Sequence, residues 1–174
     1  NVKPAVGAEY TLSTCQLDFC LPAKFNLKYI DENGERKTPV VLHRAILGSL
    51  DRFMAYILEE TKGALPVWLA PVQVNIIPVN NEYHLEYAKK IEKMLEEANI
   101  RVKLDDRNEK LTYKMRESQT KKVPYTIIIG DKERDANTVT VRLHGTTENI
   151  TLDKDEFLSK IKEVIQNKNI KYDL

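Results

Sequence analysis

The chain has 174 residues, 42% hydrophobic and 30% charged, which is typical of a globular protein with one domain, or one domain and part of another. Its 27 basic and 26 acidic residues give a formal net charge of +1, so a polyanionic partner would have to bind a local patch. No apolar run approaches the roughly 18–20 residues that span a bilayer, and the first residues show neither the basic n-region nor the apolar h-region of a signal peptide, so we expect no membrane association. Because the chain starts without methionine, we expect it to be a piece of a longer protein.

The first part of the sequence predicts a small antiparallel sheet. Residues 11–19 alternate in a period of two, which indicates a half-buried strand whose apolar face carries Cys15, Leu17 and Phe19. Residues 25–30 and 38–43 are two further strand candidates, and the Asn-Gly pair between them suits a hairpin turn. Three such strands form a sheet that needs partners to bury its apolar face.

The two cysteines, Cys15 and Cys20, are five positions apart in this first strand and its exit. In an extended chain they lie about 16 Å apart and point to opposite faces, so they are not predicted to form a disulfide. Free thiols suit a reducing compartment, and we expect a cytoplasmic protein.

Residues 40–53, VVLHRAILGSLDRF, run from an apolar strand into a helix, with one histidine, His43, before the junction and one arginine, Arg52, after it. The helix is predicted over residues 49–61, with Ser49 as its N-cap and an apolar stripe of Leu50, Phe53, Met54, Ile57 and Leu58. Arg52 has no acidic residue three or four positions away, which suits phosphate binding or base stacking but is also compatible with an ordinary exposed arginine. His43 alone is more often a packed or solvated residue than a metal ligand, and no local spacing supplies further zinc ligands.

From residue 72 onwards, predicted strands and helices alternate, after a short linker rich in Gly, Ala and Pro. The predicted strands are 72–79, 100–104, 125–129 and 138–143, and the predicted helices are 82–98, 109–119 and 153–167. Such alternation implies an α/β layer with parallel strand pairs. We therefore place a domain boundary near residue 65, dividing the chain into residues 1–65 and a complete domain of residues 66–174.

Residues 101–122 form a basic segment, with eight basic and four acidic side chains. Such a segment attracts polyanions, but it is more commonly an ordinary solvated helix face. The residues alone leave both interpretations open.

Several motifs in order carry a family resemblance. HRAILGSLDRF, with STCQLDF before it and WLAPVQV, DDRNEK, KVPYTIIIGDKE and TVTVR after it, closely resembles the bacterial threonyl-tRNA synthetases, which are class II enzymes. The resemblance covers essentially the whole chain, as the C-terminal part of such an enzyme. GSLDRF is similar to the third class II signature motif, whose arginine binds ATP, although Asp51 stands where glutamate is commoner.

The resemblance implies an α/β fold in two parts. The first is the end of the class II antiparallel catalytic sheet with its third-motif helix, and the second is a mixed-sheet α/β anticodon-binding domain. It also implies that Arg52 is a catalytic, ATP-binding residue, that Thr14 and Gln16 line the adenylate pocket, and that His43 is one of three ligands of an active-site zinc. The other two ligands and the first two signature motifs would lie outside this chain, and magnesium would accompany ATP.

The activity implied is that of a threonine–tRNA ligase, a homodimer that uses threonine and ATP and transfers the threonyl group to its tRNA. Four residues match positions that contact anticodon bases in the family, namely Asn108, Arg116, Glu133 and Arg142. Local alternatives exist, because Asn108 could cap a helix, Glu133 could lie in a solvated turn and Arg116 could belong to the basic face. Additional attraction to the RNA backbone is predicted for Lys110, Lys114, Lys121 and Lys122.

Two other classes of function compete with this interpretation. The chain could be a non-catalytic synthetase-like tRNA-binding module, or a generic α/β interaction domain. Retention of both His43 and Arg52 favours the enzyme, because a protein without catalysis needs neither residue. As one piece of an active site, the isolated chain is predicted to be inactive.

Overall fold

The computed structural model describes residues 1–5, 7–172 and 174. The chain divides into two compact units, Asn1–Lys62 and Gly63–Leu174, which are described separately. The domain boundary that the sequence predicts near residue 65 lies close to this division. The assignment of residues 1–65 and 66–174 to two domains stays a prediction. Over the described residues, no helix combines the length and the hydropathy needed to cross a membrane.

The first unit consists of two small antiparallel sheets and two helices. Its elements are β1 Thr14–Asp18, α1 Cys20–Lys24, β2 Tyr29–Ile30, β3 Arg36–Lys37, β4 Val41–Ala45 and α2 Leu50–Glu60. β1 pairs with β4, and β2 pairs with β3 across the predicted turn. Within that turn the Asp31 carboxylate accepts hydrogen bonds from the backbone of Asn33 and Glu35, and Gly34 adopts a φ of 79°.

Two strand predictions in this unit need correction. The hairpin partner of β2 is β3 rather than residues 38–43, since Pro39 offers no N–H for a ladder and the chain leaves the hairpin before it. The half-buried strand predicted over 11–19 has no buried face, because Leu17 and Phe19 are each 66% exposed and no other element of this unit covers them. The apolar stripe of α2 likewise contains no fully buried residue.

The second unit is built on a five-stranded mixed sheet. Its elements are β5 Val74–Pro78, α3 Asn81–Glu97, β6 Val102–Leu104, α4 Leu111–Thr120, β7 Tyr125–Ile129, α5 Asp131–Ala136, β8 Thr138–Leu143, β9 Ile150–Asp153 and α6 Lys154–Gln166. The strand order is β6-β5-β7-β8-β9, with β5 parallel to β6 and β7, and with β8 antiparallel to both of its neighbours. The predicted mixed-sheet α/β fold is confirmed.

One face of this sheet carries the hydrophobic core. Alternate residues of β5, β7 and β8 pack against α3 and α6, in a cluster that includes Ile76, Tyr125, Ile127, Val141, Ile91 and Phe157. The two long helices begin at side-chain caps, since Asn80 accepts from the backbone of Glu82, and Asp153 from the backbone of Asp155. The opposite face carries the polar residues described below, so the fold separates the core from the candidate site.

Candidate functional site

In the first unit, β1 and β4 bring two predicted site residues directly opposite each other. Gln16 is the register partner of His43, and Thr14 lies on the same face of β1 as Gln16, whose Nε2 is 3.5 Å from the Thr14 hydroxyl. His43 and Gln16 line one open depression, and Thr14 borders it. The alternation of β1 therefore places these three residues together, as its polar pattern predicts.

Asp18 is a further candidate site residue, which the sequence analysis does not single out, because it contacts His43. Its Oδ2 lies 2.9 Å from His43 Nε2, while its Oδ1 accepts hydrogen bonds from the backbone N–H groups of Cys20 and Leu21 at the start of α1. The hydrogen bond from Leu21, followed by that from His43, lowers the pKa of the Asp18 carboxyl. The one feature of the sequence that could have indicated this role is the position of Asp18 on the polar face of β1, two residues after Gln16.

Arg52 lies in the first turn of α2 and lines a second depression with Thr14, Gly48 and Ser49. Its guanidinium is exposed and makes no hydrogen bond or ion pair with a described residue, as the absence of nearby acids predicts. Gly48 has a φ of 73°, and a Cβ there would lie 2.3 Å from the backbone oxygen of Leu12. Glycine is thus required at the turn that brings Arg52 beside Thr14.

The zinc prediction can be tested against the donors present. The parts of the chain that the structure describes contain no group of three or more His, Cys, Asp or Glu side chains placed to hold a metal. His43 has an exposed ring whose Nε2 is held by Asp18, and its Nδ1 has no hydrogen bond to a described residue. The ring of His43 could therefore supply one ligand, but the described residues do not complete a zinc site around it.

In the second unit, Arg142 projects from β8 on the sheet face that carries α4, and the Glu133 carboxylate reaches Thr140 on the same face of β8. Arg142 is the register partner of Thr126, whose hydroxyl lies 2.7 Å from that of Ser118 in α4. The Arg142 guanidinium donates to Asn149 Oδ1 at 2.8 Å. As its strand alternation predicts, Arg142 points away from the hydrophobic core.

Glu133 lies in α5, a helix that the sequence analysis missed, and not in a solvated turn. One of its carboxylate oxygens accepts from the backbone N–H of Gly130 at 2.9 Å, and the other accepts from the Thr140 hydroxyl at 2.7 Å. Burial raises the pKa of Glu133, but the hydrogen bonds from Thr140 and Gly130 outweigh it, so the pKa lies below its ordinary value. This carboxylate therefore holds α5 against β8, whatever else it binds.

Asn108 and Arg116 belong to the loop before α4 and to α4 itself. Asn108 is exposed and lines a depression with Asn80 and Asn81, while the N-cap of α4 is Lys110. The alternative that Asn108 caps this helix is therefore wrong. The side chain of Arg116 is exposed and makes no hydrogen bond or ion pair with a described residue.

The basic segment is less available to a partner than its composition suggests. Arg107 pairs with both Asp105 and Glu117, and Glu117 also pairs with Lys121. The predicted role of Lys114 at the RNA backbone is wrong, because this side chain is only 2% exposed and its Nζ donates to the backbone oxygen of Asp105. Arg116 and Lys110 remain exposed.

Comparison with known proteins defines the class to which this fold and site belong. Residues 73–164 match the family model described as "Anticodon binding domain", and residues 1–61 match the "tRNA synthetase class II core domain (G, H, P, S and T)". The chain belongs to the anticodon binding domain family, and its first unit matches a class II synthetase core.

Its relatives are threonyl-tRNA synthetases, as the sequence motifs predict. The chain is 53% identical to the threonine–tRNA ligase of Listeria monocytogenes serovar 1/2a over 161 residues, which are 92% of this chain and 25% of that protein. It is 52% identical to the ligase of Oceanobacillus iheyensis over 171 residues, covering 98% of this chain and 26% of that protein. The chain thus spans about a quarter of the length of the curated relatives it matches.

A solved structure supports the same relationship. The crystal structure described as the RNA binding domain of threonyl-tRNA synthetase from Cryptosporidium parvum Iowa II aligns with a TM-score of 0.78 at 36% identity. The alignment covers 92% of this chain and 40% of that chain. The fold and the family resemblance read from the sequence are therefore confirmed.

Proposed function

We propose that this chain is part of a threonine–tRNA ligase and supplies part of the active site together with the anticodon-reading domain. The observation that carries the proposal is the identity of more than 50% to proteins of that name, continuous across both units. The reaction joins threonine to the α-phosphate of ATP with release of pyrophosphate, and then moves the threonyl group from the adenylate to the terminal ribose of the tRNA, with release of AMP.

The residues of the first unit have distinct roles in this proposal. The unpaired guanidinium of Arg52 binds the ATP phosphates, for which its planar, permanently charged fork is suited. Thr14, which borders both depressions, and Gln16 bind the adenylate. The fold orients these groups through the pairing of β1 with β4 and through the turn at Gly48. Such positioning accounts for much of the rate of group transfers.

His43 is proposed as one of three zinc ligands, with Asp18 fixing its ring. When bound, zinc would take the amino and hydroxyl groups of threonine and so reject valine, which lacks the hydroxyl. Magnesium is proposed to accompany ATP and neutralise phosphate charge. No described group of side chains in this chain forms a complete site for either ion.

The second unit is proposed to read the anticodon of threonine tRNA with Asn108, Arg116, Glu133 and Arg142. Single-stranded loop bases are recognised through their exposed edges, and an amide, a carboxylate and two guanidinium groups supply both donors and acceptors. The Glu133 carboxylate of α5 contacts Thr140, which lies on the same face of β8 as Arg142, and this supports a shared surface. The complete enzyme is proposed to be a cytoplasmic homodimer.

A chimaera tests this proposal directly. This chain would replace the matching quarter of the Listeria monocytogenes relative, and threonine-dependent ATP–pyrophosphate exchange and tRNA aminoacylation would be measured. We expect an active enzyme, and we expect Arg52→Ala to raise the KM for ATP at least tenfold, with little rescue by Arg52→Lys because lysine lacks the planar fork. Lys162→Gln, an exposed position on α6, serves as the matched control.

A chimaera that folds and binds tRNA but gives no exchange would contradict the proposed activity. That result would favour the non-catalytic tRNA-binding module instead.

A further inference from the structure

Asn108, one of the proposed anticodon-reading residues, belongs to the 105–110 loop, which joins β6 to α4. Its side chain is exposed and lines an open depression beyond the carboxyl ends of the parallel strands β5 and β6. The Asn108 amide makes no hydrogen bond with a described residue. The orientation of this amide therefore depends on the backbone of the loop that carries it.

A buried lysine holds the start of this loop. Lys114, in α4, is only 2% exposed, and its Nζ donates a hydrogen bond to the backbone oxygen of Asp105 at 2.9 Å. The backbone N–H of Asp105 in turn donates to the oxygen of Ile76 on β5. Burying an ammonium group is costly, and an apolar side chain would pack at this position of α4 at a lower cost. The hydrogen bond to the loop is therefore what distinguishes lysine from an apolar residue here.

Two further contacts hold the residues that precede Asn108. The Asn81 amide of α3 donates to the backbone oxygen of Asp106, and the Arg107 guanidinium donates to the carboxylates of Asp105 and Glu117. Because the side chain of Arg107 is 44% exposed, water and salt weaken its ion pairs. The contact made by Lys114 is shielded from both, so we expect it to contribute most to the rigidity of the loop.

We propose that Lys114 is a positioning residue for anticodon recognition, which holds the Asp105 oxygen and thereby fixes the 105–110 loop so that Asn108 presents its amide to one anticodon base. This inference rests on the proposed anticodon reading by Asn108 and adds the residue that orients it. An amide offers a donor at one end and an acceptor at the other, and a mobile loop would present them to the base in several orientations. Lys114 thus acts on base specificity without touching the RNA, because preorganisation strengthens base-edge contacts but leaves phosphate contacts unchanged.

Binding of RNA to the intact chain tests this inference. The probes are the anticodon stem-loop of threonine tRNA and three versions of it, each with one anticodon base replaced. We expect Lys114→Met to weaken binding of the cognate stem-loop about five- to tenfold, and to leave binding of the version altered at the base read by Asn108 within about twofold. The salt dependence should stay the same, because Lys114 contacts no phosphate. Met115→Leu, a buried change at the next position of α4, is the matched control and should alter neither quantity.

A double-mutant cycle separates positioning from a general loss of structure. If Lys114 acts through Asn108, Asn108→Ala should weaken cognate binding about five- to tenfold in the wild-type chain, but less than about twofold in the Lys114→Met chain. A merely structural role of Lys114 would instead weaken all four stem-loops alike, and the losses from the two substitutions would multiply.

Nuclear magnetic resonance of the free chain measures the rigidity of the loop directly. In the Lys114→Met chain, the backbone amides of Asp106, Arg107 and Asn108 should show lower heteronuclear NOE values than in the wild-type chain, which indicates faster local motion. The Met115→Leu chain should match the wild type. Unchanged values in Lys114→Met would show that the loop does not depend on this lysine, and would overturn the inference.

The binding results distinguish failure of this inference from failure of the proposed function. A preference for the cognate stem-loop that Asn108→Ala lowers but Lys114→Met does not would overturn the inference alone. If Asn108→Ala also left the preference unchanged, Asn108 would leave the reading set and the inference would fall with it. A wild-type chain that bound all four stem-loops equally would contradict anticodon reading itself. Should Lys114→Met fail to fold, Asn81→Ala removes another contact to the loop, and an unchanged preference in that variant would equally overturn the inference.

Discussion

At the scale of single residues, Asp18 uses its two carboxylate oxygens for two different tasks. One oxygen accepts from the backbone at the start of α1, and the other holds Nε2 of His43. The carboxylate therefore connects the geometry of a helix start to the orientation of a proposed metal ligand. Carboxylate–histidine pairs of this kind fix the ring and the tautomer of metal-bound histidines.

We predict that zinc binding depends on both partners, to different degrees. In the chimaera, His43→Ala should remove zinc, because it removes a ligand. Asp18→Asn should lower zinc affinity by about 10- to 100-fold, since it weakens the orienting contact while asparagine still caps α1. Metal content by mass spectrometry and chelator competition measure both effects. Stoichiometric zinc in a folded His43→Ala protein would falsify the ligand assignment.

A second residue-scale prediction concerns anticodon specificity. Arg142→Ala should cost about 1–3 kcal/mol in tRNA recognition and relax discrimination at one anticodon base, as expected for a base-edge contact. Lys110→Ala, at an exposed position, should weaken all tRNAs alike, because backbone contacts carry no sequence information. The measurement is aminoacylation of wild-type and anticodon-substituted tRNA by each variant. An unchanged penalty for the wrong anticodon in Arg142→Ala would remove this residue from the proposed reading set.

At the scale of secondary structure, α5 is held to the sheet by a carboxylate. The Glu133 carboxylate accepts hydrogen bonds from Gly130 at the helix start and from Thr140 on β8, so removing it removes a contact between α5 and β8. Its pKa is below the ordinary value, so the folded state gains stability from the ionised form. That contribution is complete above the unfolded pKa and disappears as pH falls through the folded pKa.

We therefore predict a pH-dependent cost for Glu133→Gln. The variant should lose about 1 kcal/mol of unfolding free energy at pH 7, because an amide cannot accept from both donors, and the difference should shrink as pH falls below the ordinary glutamate pKa of 4.5. Urea unfolding followed by Trp68, the single tryptophan, reports on the second unit. Glu163→Gln, at an exposed position on α6, is the control. A cost independent of pH would mean that the ionised carboxylate has no special role.

Patterns in the sequence predicted some of these elements better than others. The bounds of β7 and β8 were predicted correctly, because buried runs such as YTIII stand out, and α3 and α6 had both helical periodicity and caps. α5 was missed because DKERDA is a polar segment too short for a helical period. In the first unit, apolar alternation predicted burial that this unit does not provide, as the exposure of Leu17 shows.

The residues of the candidate sites also differ in how well the sequence predicted them. The roles of His43 and Arg52, which the motif resemblance implies, stay predictions, whereas strand alternation correctly placed Thr14 and Gln16 on one face. Local pattern could not reveal the pairing of Asp18 with His43, because these residues are 25 positions apart and meet through strand register.

At the scale of the whole molecule, the two units differ in how much of their proposed function they can supply. The second unit has a complete sheet and core, whereas the first offers one histidine toward the proposed zinc site and no described group of three ligands. Substrate orientation requires all of the groups around the reacting atoms. We therefore expect this chain to bind RNA without carrying out the reaction on ATP.

We predict that the isolated 174-residue chain binds threonine tRNA but does not form threonyl-adenylate. Binding should weaken steeply with salt, because exposed cations on α4 and its flanking loops contact phosphates. Filter binding over a salt series and threonine-dependent ATP–pyrophosphate exchange measure the two activities, with the chimaera as the positive control. Exchange by the isolated chain would show that the first unit is sufficient for catalysis.

The strand order of the second unit also has a consequence for synthesis on the ribosome. β5 lies between β6 and β7, and all five of its residues are buried in the finished sheet. Its partner β7 is made only after two helices and β6 have emerged, whereas β7, β8 and β9 follow one another with shorter connections. Because closing long loops is slow, the edge of VNIIP that pairs with β7 stays unpaired until residues up to Ile129 are available, although β6 emerges earlier and pairs with the other edge. The nascent chain thus carries an apolar strand with one open edge for an extended period, and this is the segment that a chaperone would be expected to bind during translation.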